Sequence, residues 1–185
     1  GVQDVATQKE LEIATKLTKQ RAKIFLESRA YIRKSLGNLF NIDPLEIPII
    51  AKPGEPPKLP EGMGYLSFSH CRDAIILIWH EKKIGIDIER QDRDFNYMKL
   101  AKKYYSNSNN TNKLYKNSVL NQWCATEAAI KWDHGKLARD IKEWQYSENE
   151  KTIFYKKKKL KLKITQINFY EWTISLAYKD RSNLI

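Results

Sequence analysis

Between Ile84 and Glu89 three isoleucines alternate with Gly85, Asp87 and Glu89. An alternation of period two is the pattern of a strand, whose side chains point to opposite faces in turn. The pattern sends Ile84, Ile86 and Ile88 to a core and puts the glycine and both acids on the other face. Two carboxylates on one side of a strand repel each other unless solvent, a proton or a cation separates them. An oxygen-only pair suits a hard divalent ion, magnesium before others.

A second segment is expected to meet that strand. A helix read from about Asn117-Ser118, good N-cap residues, to Asp133 carries Trp123, Glu127 and Lys131 at i, i+4 and i+8. These three form one row on one helical face. Taken alone, the row is an exposed Glu–Lys pair worth a few tenths of a kcal/mol, with Trp123 as core. Beside Asp87 and Glu89 it would supply a third carboxylate and a lysine.

The chain has 33 basic and 22 acidic residues among 185, a net charge of +11 (33 − 22). Such a field favours anionic partners: nucleic acid, anionic lipid, a phosphorylated cofactor or an acidic protein. Seven lysines fall between Lys151 and Lys163, where Leu160, Leu162 and Ile164 alternate with Lys161 and Lys163. That stretch reads as a strand with one solvated, lysine-studded face that resists edge pairing. Cys71 and Cys124 form no disulfide framework or zinc spacing, and no secretory pattern opens the chain. The expected compartment is the reducing cytoplasm. The longest strongly apolar run, Ala74 to Trp79, is too short to cross a bilayer.

Along the chain, Ile13, Leu17, Ile24, Phe25, Ser28, Tyr31, Ile32 and Leu36 approximate one helical stripe from Lys9 to Leu36, with Gly37-Asn38 as its stop. Leu45 to Ala51 reads as extended and Lys52 to Pro57 as a proline-rich loop. Tyr65 to Ser69 reads as a strand, and Ala74–His80 and Ile84–Glu89 as a hairpin across Glu81-Lys82-Lys83. Asp92-Arg93-Asp94 marks a boundary between halves 1–92 and 93–185. Tyr97 to Tyr105 is weakly helical, Ser106 to Asn112 is a polar loop, and Phe154-Tyr155, Leu160–Ile164 and Trp172–Tyr178 are strand-like. Helix then strands, followed by helix then strands, points to an α+β fold.

Ser69-His70 closes a strand but lacks the surroundings of a nucleophile elbow; an imidazole at a strand end suits a phosphate oxygen. Lys52, before Pro53, offers a point charge for phosphate. Neither of the common glycine-rich phosphate loops is present.

Taken together, Lys52-Pro53, Ser67-Phe68-Ser69-His70, Gly85-Ile86-Asp87-Ile88-Glu89 and Trp123-x-x-x-Glu127-x-x-x-Lys131 resemble the phosphopantetheinyl transferases. Their order and spacing are similar to the larger, surfactin-type class, with its GKP, (N/S)xSHS, G(I/V)D(I/V)E and WxxKEAxxK patterns, from about Arg21 to Tyr178. The resemblance implies two similar α+β halves related by a pseudo-twofold, with coenzyme A in the cleft between them. It implies magnesium-dependent transfer of the phosphopantetheine arm of coenzyme A to a serine of an apo acyl or peptidyl carrier protein, releasing adenosine 3′,5′-bisphosphate. Carrier proteins are usually acidic, so the +11 charge would steer them. By motif, Asp87, Glu89 and Glu127 would hold magnesium, Glu127 would deprotonate the carrier serine directly or through a metal-bound water, and Lys131 would stabilise the pyrophosphate. Ser69, His70 and Lys52 would bind coenzyme A, with Lys19 or Arg21 at its 3′-phosphate. A monomer without nucleic-acid or membrane partners is expected. The chain departs from the family in Thr126, where a lysine usually precedes the glutamate, in Ala51 for the glycine before Lys-Pro, and in Cys71 for a serine. Two other readings stand beside this one. One is a basic nucleic-acid-binding module whose aromatic residues stack bases; the other is a non-catalytic relative that binds coenzyme A or a carrier only.

Overall fold

The structure, a computed structural model, describes residues 3–51, 55–105 and 116–180. It is mixed α+β, 41% helical and 28% strand with two sheets, as the sequence pattern indicates. Among the described residues no helix is long and apolar enough to cross a membrane. Compact packing divides the chain into one unit of Gly1–Glu55 and another of Pro56–Ile185.

The first unit is helical. Helix α1 (Gln8–Thr15) begins with a reciprocal capping box between Thr7 and Glu10, and α2 runs from Lys19 to Phe40. The single long helix expected from Lys9 is therefore broken, at Lys16 to Thr18, where Thr18 takes extended backbone angles. The expected stop at Gly37-Asn38 also moves. Gly37 lies inside α2, and the left-handed cap is Asn41. A Cβ on Gly37 would stand 2.9 Å from the Ile42 carbonyl oxygen, so that glycine serves close approach rather than termination. Ile32, Leu36 and Ile47 are fully buried, whereas Ile24 and Tyr31 of the expected stripe are exposed. Of the segment expected to be extended from Leu45, Leu45 and Glu46 belong instead to a 3-10 turn, Pro44–Glu46.

This unit is built around charge as well as oil. Arg33, buried, donates through Nε to Glu10 Oε2 at 2.9 Å and through Nη2 to Oε1 at 3.1 Å. Its Nη1 reaches the carbonyls of Pro44 (3.1 Å), Leu45 (3.3 Å) and Ile47 (2.8 Å). Arg29, also buried, lies 3.9 Å from Glu10 and over the Phe25 ring, and its Nη1 has no hydrogen-bond partner.

In the second unit, β1 (Tyr65–His70) pairs antiparallel with β2 (Ile75–His80). A five-stranded antiparallel sheet has the order β3-β7-β6-β5-β4, from β3 (Ile84–Arg90), β4 (Trp144–Ser147), β5 (Thr152–Tyr155), β6 (Leu160–Phe169) and β7 (Trp172–Tyr178). Helices α3 (Tyr97–Tyr104), α4 (Lys116–Trp132) and α5 (Leu137–Asp140) complete it.

The expected β2–β3 hairpin does not form: β3 pairs with β7, Asp87 opposite Ser175 and Gly85 opposite Ala177. The reason is the small-residue face this pairing makes. Ser175 and Ala177, fully buried, and Gly85 let α4 lie directly on the sheet with Ala125, Ala128 and Ala129, themselves fully buried. A Cβ on Gly85 would fall 2.0 Å from the Ala128 carbonyl oxygen. Further, β6 is an interior strand, so its exposed Lys161 and Lys163 guard no edge; they pair with Glu150 and Asp180. Helix α4 matches its expected span closely, although Asn117 and Ser118 lie within its first turn rather than capping it. The loop expected from Ser106 to Asn112 lies outside the described residues.

Candidate functional site

The face of β3 that carries the acids is not open to water. Asp87 is 3% exposed, as deeply buried as Ile86 and Ile88 behind it, because α4 covers that side. Burying a carboxylate costs several kcal/mol unless it is paired. Lys131, on the last turn of α4, supplies the pairing: its Nζ lies 2.7 Å from Asp87 Oδ1 and 2.7 Å from Ser69 Oγ. Ser69 on β1, itself buried, donates to the same Asp87 Oδ1 at 2.7 Å. The other oxygen, Asp87 Oδ2, is buried with no hydrogen-bond partner among the described residues.

Two residues further along β3, Glu89 is held differently. Its Oε1 accepts from Arg93 Nη1 at 2.7 Å and from Trp123 Nε1 at 3.0 Å. Burial and the neighbouring Asp87 charge nevertheless raise its pKa above the usual carboxylate value, against the pull of Arg93. Trp123 packs on Tyr104 with ring centroids 6.2 Å apart, so its indole serves both packing and the hydrogen bond.

Glu127 sits one helical turn from Trp123 and one from Lys131, and among the described residues it makes no hydrogen bond or ion pair. Burial, then Asp87, and less strongly Glu89, push its pKa up to about 7; Lys131 and Arg93 pull the other way. The row Trp123–Glu127–Lys131 therefore faces Asp87 and Glu89, and the three acids sense one another's charge. Beside Glu89 a groove of about 250 Å³ is lined by Arg93, Phe95, Lys99, Lys103, Tyr104 and Trp123, apolar in its floor and basic at its rim.

The remaining residues singled out by sequence are less gathered. His70 follows Ser69 but is exposed, its ring tilted against Phe68 at 5.8 Å. Lys19 and Arg21 are exposed residues of the first turn of α2 in the other unit. Lys52 lies outside the described residues. Thr126 is fully buried, its Oγ1 donating to the Gln122 carbonyl at 2.7 Å, so position 126 directs no side chain toward the acids. Arg93 was passed over by sequence reasoning because Asp92-Arg93-Asp94 looks like a boundary of solvated charge. The signal for it was its place four residues after Glu89. Arg29 and Arg33 were missed likewise, although they share the α2 face of Ile32 and Leu36.

Asp87, Glu89 and Glu127 offer carboxylate oxygens alone, and one of those oxygens is buried and unmatched. That donor chemistry fits a hard dication rather than zinc or copper. Among the described residues, no three His, Cys, Asp or Glu side chains are grouped tightly enough to hold an ion as they stand. Lys131 and Arg93 instead occupy the oxygens nearest them.

The fold and this cluster define a mixed α+β protein with a buried, acid-rich site between a strand and the helix laid across it. No protein-family model matches the chain, and no curated protein matches it.

Proposed function

We propose that this protein is a 4′-phosphopantetheinyl transferase, which moves the phosphopantetheine arm of coenzyme A to a serine of an apo carrier protein. The observation that carries the reading is the placement of Glu127, which faces Asp87 and Glu89 and makes no hydrogen bond or ion pair among the described residues; burial and those carboxylates push its pKa up to about 7. A group with that pKa is an effective general base near neutrality. Two similar halves about a pseudo-twofold, with the cofactor between them, belong to the same proposal, as do a cytoplasmic monomer and the absence of nucleic-acid or membrane partners.

Asp87, Glu89 and Glu127 would hold magnesium, which when bound would neutralise charge on the leaving bisphosphate. Glu127 takes the proton from the carrier serine as its oxygen bonds to the phosphorus of the arm. The pyrophosphate bond breaks on the far side, releasing adenosine 3′,5′-bisphosphate. Lys131 turns a donor to the pyrophosphate, while Ser69 keeps Asp87 in place. His70, exposed beside Ser69, is free to reach a coenzyme A phosphate; Lys52, Lys19 and Arg21 would bind its remaining phosphates. The basic-rimmed groove beside Glu89 suits an acidic carrier.

The test is the intact mass of an apo acyl or peptidyl carrier incubated with the protein, coenzyme A and magnesium. A magnesium-dependent gain of one phosphopantetheine is expected, with Glu127→Gln slower by roughly 10²–10⁴-fold and Asp87→Ala inactive but folded. Coenzyme A binding without modification of any carrier would instead indicate a non-catalytic relative. Binding of RNA or DNA in place of coenzyme A would indicate the basic nucleic-acid module.

A further inference from the structure

Arg93 donates to Glu89 at 2.7 Å and, among the described residues, draws both Glu89 and Glu127 toward their charged forms. It stands in the loop between β3 and α3, outside any regular element, and its side chain is 44% exposed against 13% for Glu89. It lines the groove that opens beside the acids. Trp123 already donates to the same Glu89 oxygen, so Glu89 keeps a fixed partner when Arg93 leaves. The other cation in contact with the acids among the described residues, Lys131, is pinned between Ser69 and Asp87 on a helix. Position 126 supplies no charge, being buried and bonded to its own helix.

We infer that Arg93 is an exchangeable counter-charge of this site: it neutralises Glu89 until the carboxylates take a dication, then releases Glu89 and pairs its guanidinium with a phosphate oxygen of the bound coenzyme A. A planar guanidinium suits this move, because its donor fork matches carboxylate and phosphate alike. Only the arginine end of the pair is open to solvent, and the Trp123 indole stays on the Glu89 oxygen, so the guanidinium can leave as the dication replaces its charge. The inference rests on the transferase reading and adds to it a residue whose two partners are used in turn.

The sign of two binding measurements separates this role from a merely structural one. Manganese binding, followed by its electron paramagnetic resonance without coenzyme A, is expected to tighten several-fold in Arg93→Ala, because a competing cation is gone. Coenzyme A binding in the presence of manganese, measured by calorimetry, is expected to weaken about tenfold in the same variant, the loss of one charge-assisted contact. Arg93→Lys should resemble the wild type toward manganese yet recover only part of the coenzyme A affinity. If Arg93 serves only to hold Glu89 in position, Arg93→Ala weakens manganese binding as well, and the inference fails while the transferase reading stands. If the wild type binds no manganese, both fail together.

Discussion

Each unit of this molecule buries a cluster of charges, and the two clusters are balanced in opposite ways. In the helical unit one acid, Glu10, meets two arginines; Arg33 spends its donors on that carboxylate and on three backbone carbonyls. Burial alone would raise the Glu10 pKa, but Arg33 and the Thr7 cap outweigh it and hold it below the usual value. In the sheet unit three acids meet Lys131 and Arg93, and the surplus falls on Glu127, whose pKa rises instead. The first arrangement satisfies its carboxylate and fixes structure. The second is left short of positive charge, which is what a site needs if it is to accept a cation or a proton.

The largest effect that would break this contrast is on the satisfied side. Arg33→Met should destabilise the protein by about 3–5 kcal/mol, since it strands a buried carboxylate and three carbonyls. Adding Glu10→Gln should recover part of that loss in thermal or denaturant unfolding. A cost below about 1 kcal/mol would mean that the Glu10 cluster is no more structural than a surface pair. Next comes Gly85→Ala, which drives a methyl into the Ala128 carbonyl and lifts α4 from β3. It should cost about 1–3 kcal/mol and lower the Glu127 pKa as water enters between helix and strand.

An effect of similar size is a gain. The raised pKa means that the folded state favours neutral Glu127. The resulting stability is fully present below the ordinary carboxyl range and is lost as pH rises to about 7. Glu127→Gln, neutral throughout, should match the wild type near pH 4.5 and exceed it above pH 7 by roughly 1–3 kcal/mol. A variant no more stable than the wild type at pH 8 would place Glu127 among satisfied charges like those of Glu10.

Local pattern made much of this legible. Alternation marked β1, β3 and the start of β6, an apolar run marked β2, and the i, i+4, i+8 row marked the face of α4 that meets the acids. What the sequence left hidden is long-range or short. The pairing of β3 with β7 joins Asp87 to Ser175, far apart in the chain, and only the shared small-residue face explains it. Strand β4, Trp144–Ser147, is four residues without a full alternation. The break before α2 comes at Thr18, whose side chain makes no cap hydrogen bond. Within the site, Asp87, Glu89, Glu127 and Lys131 followed from spacing, whereas Arg93 and the depth of Asp87 required the helix to be seen in place.

At the centre of the proposal stands a desolvated Glu127 that makes no hydrogen bond or ion pair among the described residues. Carbon-13 NMR of glutamate side-chain carboxyls, with Glu127 assigned by its loss in Glu127→Gln, reads this directly in the metal-free protein. The account predicts a titration midpoint at about 7, moving down when magnesium is added. A midpoint near 4.5, unmoved by magnesium, would contradict it.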